Sequence, residues 1–306
     1  MLLETKAFII RLVIAFIITG VLTIALTSLF YIIGRKGYLR NLFTKVRKGT
    51  PRGIGLAPFL VLSLLIEPPY NFLILIMGIF AFFDDIVGRR TILSGLIEIG
   101  QLSRGIGMII VMGVGYYIVG PAAIFIALMI QPLNISDMQP GVTCSVTIIM
   151  CILTLILGLI LGAEISIPLI LLVVCIAYSP LDYRGNIMLG EVGNHSFGIA
   201  LGLGFSVLGS TVFKGTEMGG LIFTIVLFFF TVFLVAYLRR NYLRKYLTNN
   251  LGIMKPYFGD YFMDVLTGGG LGDLIRKIIL GKKRIPIKST LLKKLGFRRL
   301  LFNPNA

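Results

Sequence analysis

Long apolar runs, broken at short intervals by charged or glycine-rich stretches, dominate this 306-residue chain. A helix crosses the hydrocarbon core of a bilayer with roughly 20 mostly apolar residues. Runs at 7–33, 142–161, 197–213 and 218–238 meet that length. Shorter ones at 54–66, 70–83, 105–119, 121–133 and 165–178 reach it with flanking polar residues. The pattern predicts an all-α polytopic membrane protein with about nine transmembrane helices. The weakest joint is Gly120-Pro121, where two runs could form one kinked helix.

Charge supports the count of nine. With the N-terminus outside, the inner segments are 34–53, 84–104, 134–141, 179–196 and 239–306, and they hold 26 of the 29 Lys and Arg residues. Cytoplasmic loops carry such an excess, so the C-terminus is expected in the cytoplasm and the protein in the cell membrane. Lys6, Arg11 and Lys214 are the exceptions. The first run is too long for a cleavable leader and reads as a retained span.

Composition agrees: 57% of residues are apolar and 14% charged, against about 25% charged in soluble domains. A soluble enzyme, a disordered chain and a disulfide-built secreted domain are excluded. Cys144, Cys151 and Cys175 lie in apolar runs without metal-ligand spacing and read as small buried hydrophobes. The single histidine, His195, rules out a His-pair zinc site. The outer turns carry Glu67, Glu164 and Glu217, read as solvated. The inner acids Asp84, Asp85, Asp137, Asp182 and Glu191 instead stand at or near the ends of apolar runs, which would bring carboxylates from separate segments to one membrane face.

Four motifs lie on that face. Arg47-Lys48-Gly49-Thr50-Pro51-Arg52-Gly53 combines turn residues with cations suited to anionic oxygen. Phe82-Phe83-Asp84-Asp85 puts two carboxylates at a membrane edge, where they are costly unless paired, hydrated or metal-bound. Asn134 and Asp137, three residues apart, share a helical face and can offer an amide and a carboxylate to a nucleotide or a metal. Leu189-Gly190-Glu191-Val192-Gly193-Asn194-His195 permits close backbone approach around an acid at a helix start.

These four motifs, in this order over about residues 45–205, resemble the polyprenyl-phosphate N-acetylhexosamine-1-phosphate transferase family, which includes the bacterial phospho-N-acetylmuramoyl-pentapeptide transferase and the UDP-GlcNAc:polyprenyl-phosphate enzymes. The matches are Gly-Thr-Pro at 49–51, Asp-Asp at 84–85, Asn-x-x-Asp at 134–137 and a Met-Gly-Asp-x-Gly counterpart at 189–193. The chain departs from the family pattern at Met138 and Pro140, where the family has Gly and Asp, and at Glu191, where it has Asp. Glu98 lies near the position of the family's basic residue at the start of the fourth span. The resemblance implies transfer of a sugar-1-phosphate from a UDP-N-acetylhexosamine to a polyprenyl phosphate, with release of UMP, in cell-envelope glycan synthesis. By the same resemblance, Asp84 and Asp85 are the catalytic pair and Glu191 and Asp85 ligate Mg²⁺. Lys48, Thr50, Asn134, Asp137 and His195 would bind substrate.

Residues 239–306 form a basic cytoplasmic tail, apart from the transmembrane domain at 1–238, and carry +12 of the net +16 charge. Apolar and basic pairs alternate at helical spacing over 289–302, with Ser289 as N-cap. This predicts an interfacial amphipathic helix on anionic lipid; nucleic acid is not expected as a partner. A homodimer is compatible with the sequence. Two other functions are weighed: a paralogue that has lost catalysis and acts as an assembly partner, and a carrier. Against the carrier, only Arg11 lies inside a clear span and no inverted repeat is visible.

Overall fold

The computed structural model describes residues 2–36, 38, 40–44, 47, 49–88, 91–92, 97–281 and 285–301. The chain divides into two compact units, Met1–Phe228 and Phe229–Ala306. The division falls inside the last long apolar helix, before the 238/239 boundary expected from charge.

The first unit contains α1 (Leu2–Arg35), α2 (Leu56–Leu65), α3 (Tyr70–Val87), α4 (Ile99–Val119), α5 (Ala122–Leu128), α6 (Ile130–Ser136), α7 (Val142–Leu161), α8 (Ser166–Tyr183), α9 (Gly190–Val212) and most of α10 (Glu217–Leu238). Two short antiparallel ribbons interrupt them: β1 (Phe43–Thr44) pairs with β2 (Thr50–Pro51), and β3 (Thr91–Ile92) with β4 (Ile97–Glu98). Among the described residues, seven helices are long and apolar enough to cross a membrane: α1, α3, α4, α7, α8, α9 and α10. The protein is an all-α polytopic membrane protein. Two shorter apolar stretches among the described residues, α2 (Leu56–Leu65) and the consecutive α5 and α6 over Ala122–Ser136, accompany the seven. Gly120, with φ 64°, ends α4 and Pro121 precedes α5, so the doubtful joint is a break.

Helix α9 is the centre of this unit. It packs against α2, α3, α5, α6, α7 and α8, and it is mostly buried, whereas α1 is mostly exposed. Glycines allow the close contact, as small residues do between membrane helices. A Cβ on Gly202 would lie 2.9 Å from Ile126 Cα, and one on Gly55 would collide with Gly193 Cα. The helix starts at Gly190, not at the 197 suggested by the apolar run, which places Glu191, Asn194 and His195 in its first turns. Helix α3 likewise continues past the apolar run to Val87 and carries Asp84 and Asp85 in its last turn.

Arg11, the exception within span one, bonds Glu67 at 2.7 Å. Glu67 is exposed and Arg11 partly so, and water screens the pair, which therefore adds little stability.

The second unit holds the end of α10, α11 (Arg240–Asn249), α12 (Phe258–Thr267), α13 (Gly270–Leu280), α14 (Thr290–Lys294) and α15 (Phe297–Leu300). Its core gathers Leu247, Leu251 and Ile253. The single interfacial helix expected over 289–302 is not formed. Gly296, at φ 85°, separates α14 from α15. Arg298 and Arg299 turn inward to Asp260 and Asp264 on α12, because a buried carboxylate needs a charged or hydrogen-bonding partner. Ser289 does occupy the N-cap position, without a capping bond from its side chain.

Candidate functional site

The loop from Arg47 to Gly55 is pinned to the segment before α9. Thr50 Oγ1 donates to Arg47 O at 2.6 Å and to Gly185 O at 3.2 Å. Met188 N donates to Pro51 O at 2.9 Å, and Gly55 N to Leu189 O at 3.1 Å. Thr50 is therefore occupied in shaping the loop. Lys48 lies outside the described residues.

This docking brings the end of α3 against the start of α9. Asp85 is fully buried. Its Oδ1 accepts from Glu191 N at 3.1 Å and its Oδ2 from Val192 N at 3.0 Å, while Arg52 Nη2 stands 3.1 Å from Oδ1. A carboxylate on the first-turn N–H groups satisfies donors that a helix leaves open and suits the positive end of its dipole. Arg104, on α4, donates from Nη1 to Glu191 Oε2 at 2.9 Å, and its Nε lies 3.8 Å from Asp84 Oδ2. Burial works against the Arg52 cation, but the nearby carboxylates, Asp85 first, hold its guanidinium above its ordinary pKa.

Asp137 stands at the centre of a second, deeper cluster. Its Oδ2 accepts from Gly190 N and from Asn194 Nδ2, each at 3.1 Å. Arg47 reaches the backbone carbonyl of Asp137, its Oδ1 at 3.3 Å, Asp182 Oδ1 at 3.0 Å and Ile187 O at 3.0 Å. Gly141 N donates to Asp182 Oδ2 at 3.1 Å. One arginine thus serves two buried carboxylates. Burial, followed by the Asp182 charge, pushes Asp137 up to about 8, against the opposing pull of Arg47.

A folded-state pKa above the unfolded value means that the folded protein holds this proton more tightly. The stabilisation is complete below the ordinary value of 3.8 and is lost as pH rises through about 8. Circular-dichroism melts should show a lower midpoint at pH 9 than at pH 6, and Asp137→Asn should flatten that difference.

His195 Nδ1 bonds the Glu191 carbonyl and lies 3.7 Å from Glu191 Oε2. A carbonyl only accepts, so Nδ1 carries the proton in this bond. Nε2 of the neutral ring is then a buried acceptor, with no protein partner among the described residues. Asn194 Oδ1 is a second such acceptor. Asn134 does not join the cluster: it is half-buried on α6 and has no side-chain hydrogen bond among the described residues.

Of the residues anticipated from sequence, Asp84, Asp85, Asp137, Glu191 and His195 come together around the start of α9, with Thr50 shaping the adjoining loop. Two cations were missed in their roles. Arg104 lies six residues beyond Glu98, inside α4. Arg47 reads in sequence as one loop charge among several. The signal that could have found them is charge balance: carboxylates at run ends require cations of comparable burial.

The Mg²⁺ implied by the resemblance can be tested against these donors. Asp85 spends both oxygens on backbone N–H groups and Arg52. Glu191 Oε2 is taken by Arg104. Among the described residues, no group of three or more His, Cys, Asp or Glu side chains is arranged to hold a metal ion. The donor set as folded does not fit a metal ion held by Asp85 and Glu191.

Neither protein-family models nor curated protein sequences give a match to this chain.

Proposed function

We propose that the protein is a membrane transferase that moves N-acetylhexosamine-1-phosphate from a UDP-sugar to a polyprenyl phosphate. One observation carries this reading: Asp84, Asp85 and Glu191, from helices far apart in sequence, meet Arg52 and Arg104 beside a glycine-rich loop. The family resemblance of the motifs adds the substrate class. In the reaction an oxygen of the lipid phosphate attacks the sugar-bearing phosphorus. The bond from that phosphorus to the bridging oxygen breaks, and UMP leaves with the electron pair. Such transfers depend on positioning and charge neutralisation more than on covalent help from the protein. Arg52 and Arg104 would offset charge on the phosphates, Asp85 would hold the start of α9 in register, and Asp84 would help hold Arg104 towards the lipid phosphate.

We read the protein as crossing the cell membrane nine times, with the shorter apolar stretches Leu56–Leu65 and Ala122–Ser136 completing the set, the N-terminus outside and the site on the cytoplasmic face. Helix α2 has ten residues, about 15 Å of helix, so its crossing relies on flanking residues; the alternation of basic loops supports the count. This placement lets the nucleotide stay in water and the prenyl chain in lipid. The tail is read as lying on anionic lipid, now through exposed Ile275, Ile278 and Ile279 on α13 and the Lys293 and Lys294 end of α14.

A second reading, an assembly partner without catalysis, draws on the arginine pairing of Asp85 and Glu191 together with Met138 and Pro140. Purified protein given radiolabelled UDP-GlcNAc and undecaprenyl phosphate, with and without Mg²⁺, separates the two. The transferase releases UMP, and Asp85→Asn and Glu191→Ala, which loosen the start of α9 and Arg104, each lower the rate at least about a hundredfold. Nucleotide binding without turnover by the wild type would support the partner instead.

A further inference from the structure

Asp84 and Glu191 are brought together from α3 and α9, and Arg104 stands against both. Its Nη1 bonds Glu191 Oε2 at 2.9 Å, and its Nε is 3.8 Å from Asp84 Oδ2. Asp84 is seated against the first turn of α4, where a Cβ on Gly100 would collide with Asp84 Oδ1. Gly100 and Arg104 are four residues apart, so they lie on one face of that helix. The three side chains retain 10%, 15% and 17% of their exposure for Asp84, Arg104 and Glu191. The slot is nearly closed, and two carboxylates sharing it repel each other unless a cation stands between them. A guanidinium is always charged and its planar fork matches carboxylate oxygens.

We propose that Arg104 is the resident cation of this site, held between Asp84 and Glu191 in the position a divalent ion would otherwise take. A phosphate-bearing ligand then meets a fixed guanidinium, with Arg52 beside it on Asp85. The proposal rests on the transferase reading only for the identity of that ligand. It follows that the wild-type protein without nucleotide has no tight divalent-cation site here, and that removing the guanidinium creates one.

The test is Mn²⁺ binding, followed by the loss of the free-ion electron paramagnetic resonance signal, on the purified full chain without nucleotide. The wild type should leave the signal unchanged beyond weak surface binding. Arg104→Ala should bind one Mn²⁺ per chain, at least about tenfold more tightly than the wild type, and Arg104→Ala combined with Glu191→Gln should lose that gain. A stoichiometric wild-type site that disappears in Glu191→Gln would overturn the proposal, as would a folded Arg104→Ala protein that gains no ion. If Arg104→Ala does not fold, the wild-type titration with its Glu191→Gln control decides alone. Because no turnover is measured, failure of UMP release would remove the transferase reading and leave this result standing.

Discussion

Replacing Arg47 with methionine should destabilise the protein by about 3–5 kcal/mol, the range for breaking a buried ion pair from one side. The upper end is expected, since this one guanidinium serves Asp137, Asp182 and the Ile187 carbonyl at once. Methionine keeps much of the side-chain volume, so the loss reports charge and hydrogen bonding more than a cavity. The three cysteines are all buried, which allows unfolding to be followed by their labelling with a thiol-reactive dye. Adding Asp182→Asn to Arg47→Met should recover part of the loss, because one of the two stranded carboxylates is then neutral. A midpoint for Arg47→Met equal to that of the wild type would show that Arg47 is not the common partner of these acids.

Gly190→Ala should affect both stability and the site. Gly190 has φ 69°, in the left-handed region, where a side chain costs roughly 1–2 kcal/mol. Its Cβ would lie 2.5 Å from Gly53 N and 2.8 and 3.0 Å from the two Asp85 oxygens. Relief requires the Gly53 loop or the end of α3 to move, at a further cost of about 1–3 kcal/mol as in overpacked cores. The Gly190 N–H bond to Asp137 and the Asp85 bonds to the start of α9 would be disturbed together. UMP release is expected to fall at least about a hundredfold even at temperatures where the variant stays folded. Gly105→Ala and Gly113→Ala serve as controls, since a Cβ at either position would meet no atom within 4 Å; both should be neutral or gain about 0.5–1 kcal/mol, the helix-interior preference for alanine over glycine.

The apolar runs point to the helices of the first unit because length and hydropathy are what a bilayer demands. They do not reveal which helix is central. Helix α1 is strongly apolar and mostly exposed, while α9 is less apolar and mostly buried. Hydropathy selects for contact with lipid, and a helix surrounded by protein can carry Asn194, His195, Ser196 and many glycines. The same reason hides the start of α9 and the end of α3: the polar residues there are satisfied by one another across the fold. The acids of the site are legible because each interrupts or ends an apolar run. Arg104 and Arg47 are less so, since a basic residue near an inner loop already has a topological explanation. In the tail, the alternation over 289–302 suggests a single helix, but Asp260 and Asp264 lie about thirty to forty residues earlier, and their need for partners draws Arg298 and Arg299 inward.

The central claim is that the sugar-bearing phosphorus passes to a lipid. UDP-GlcNAc labelled with ³²P at either the α or the β phosphorus, incubated with the protein and undecaprenyl phosphate and then extracted into organic solvent, follows that atom directly. The β label is expected to enter the organic phase while the α label stays in water as UMP, and Asp85→Asn should leave both labels in water as UDP-GlcNAc. Label that remains wholly in water, or α and β label extracted together, would contradict the transfer.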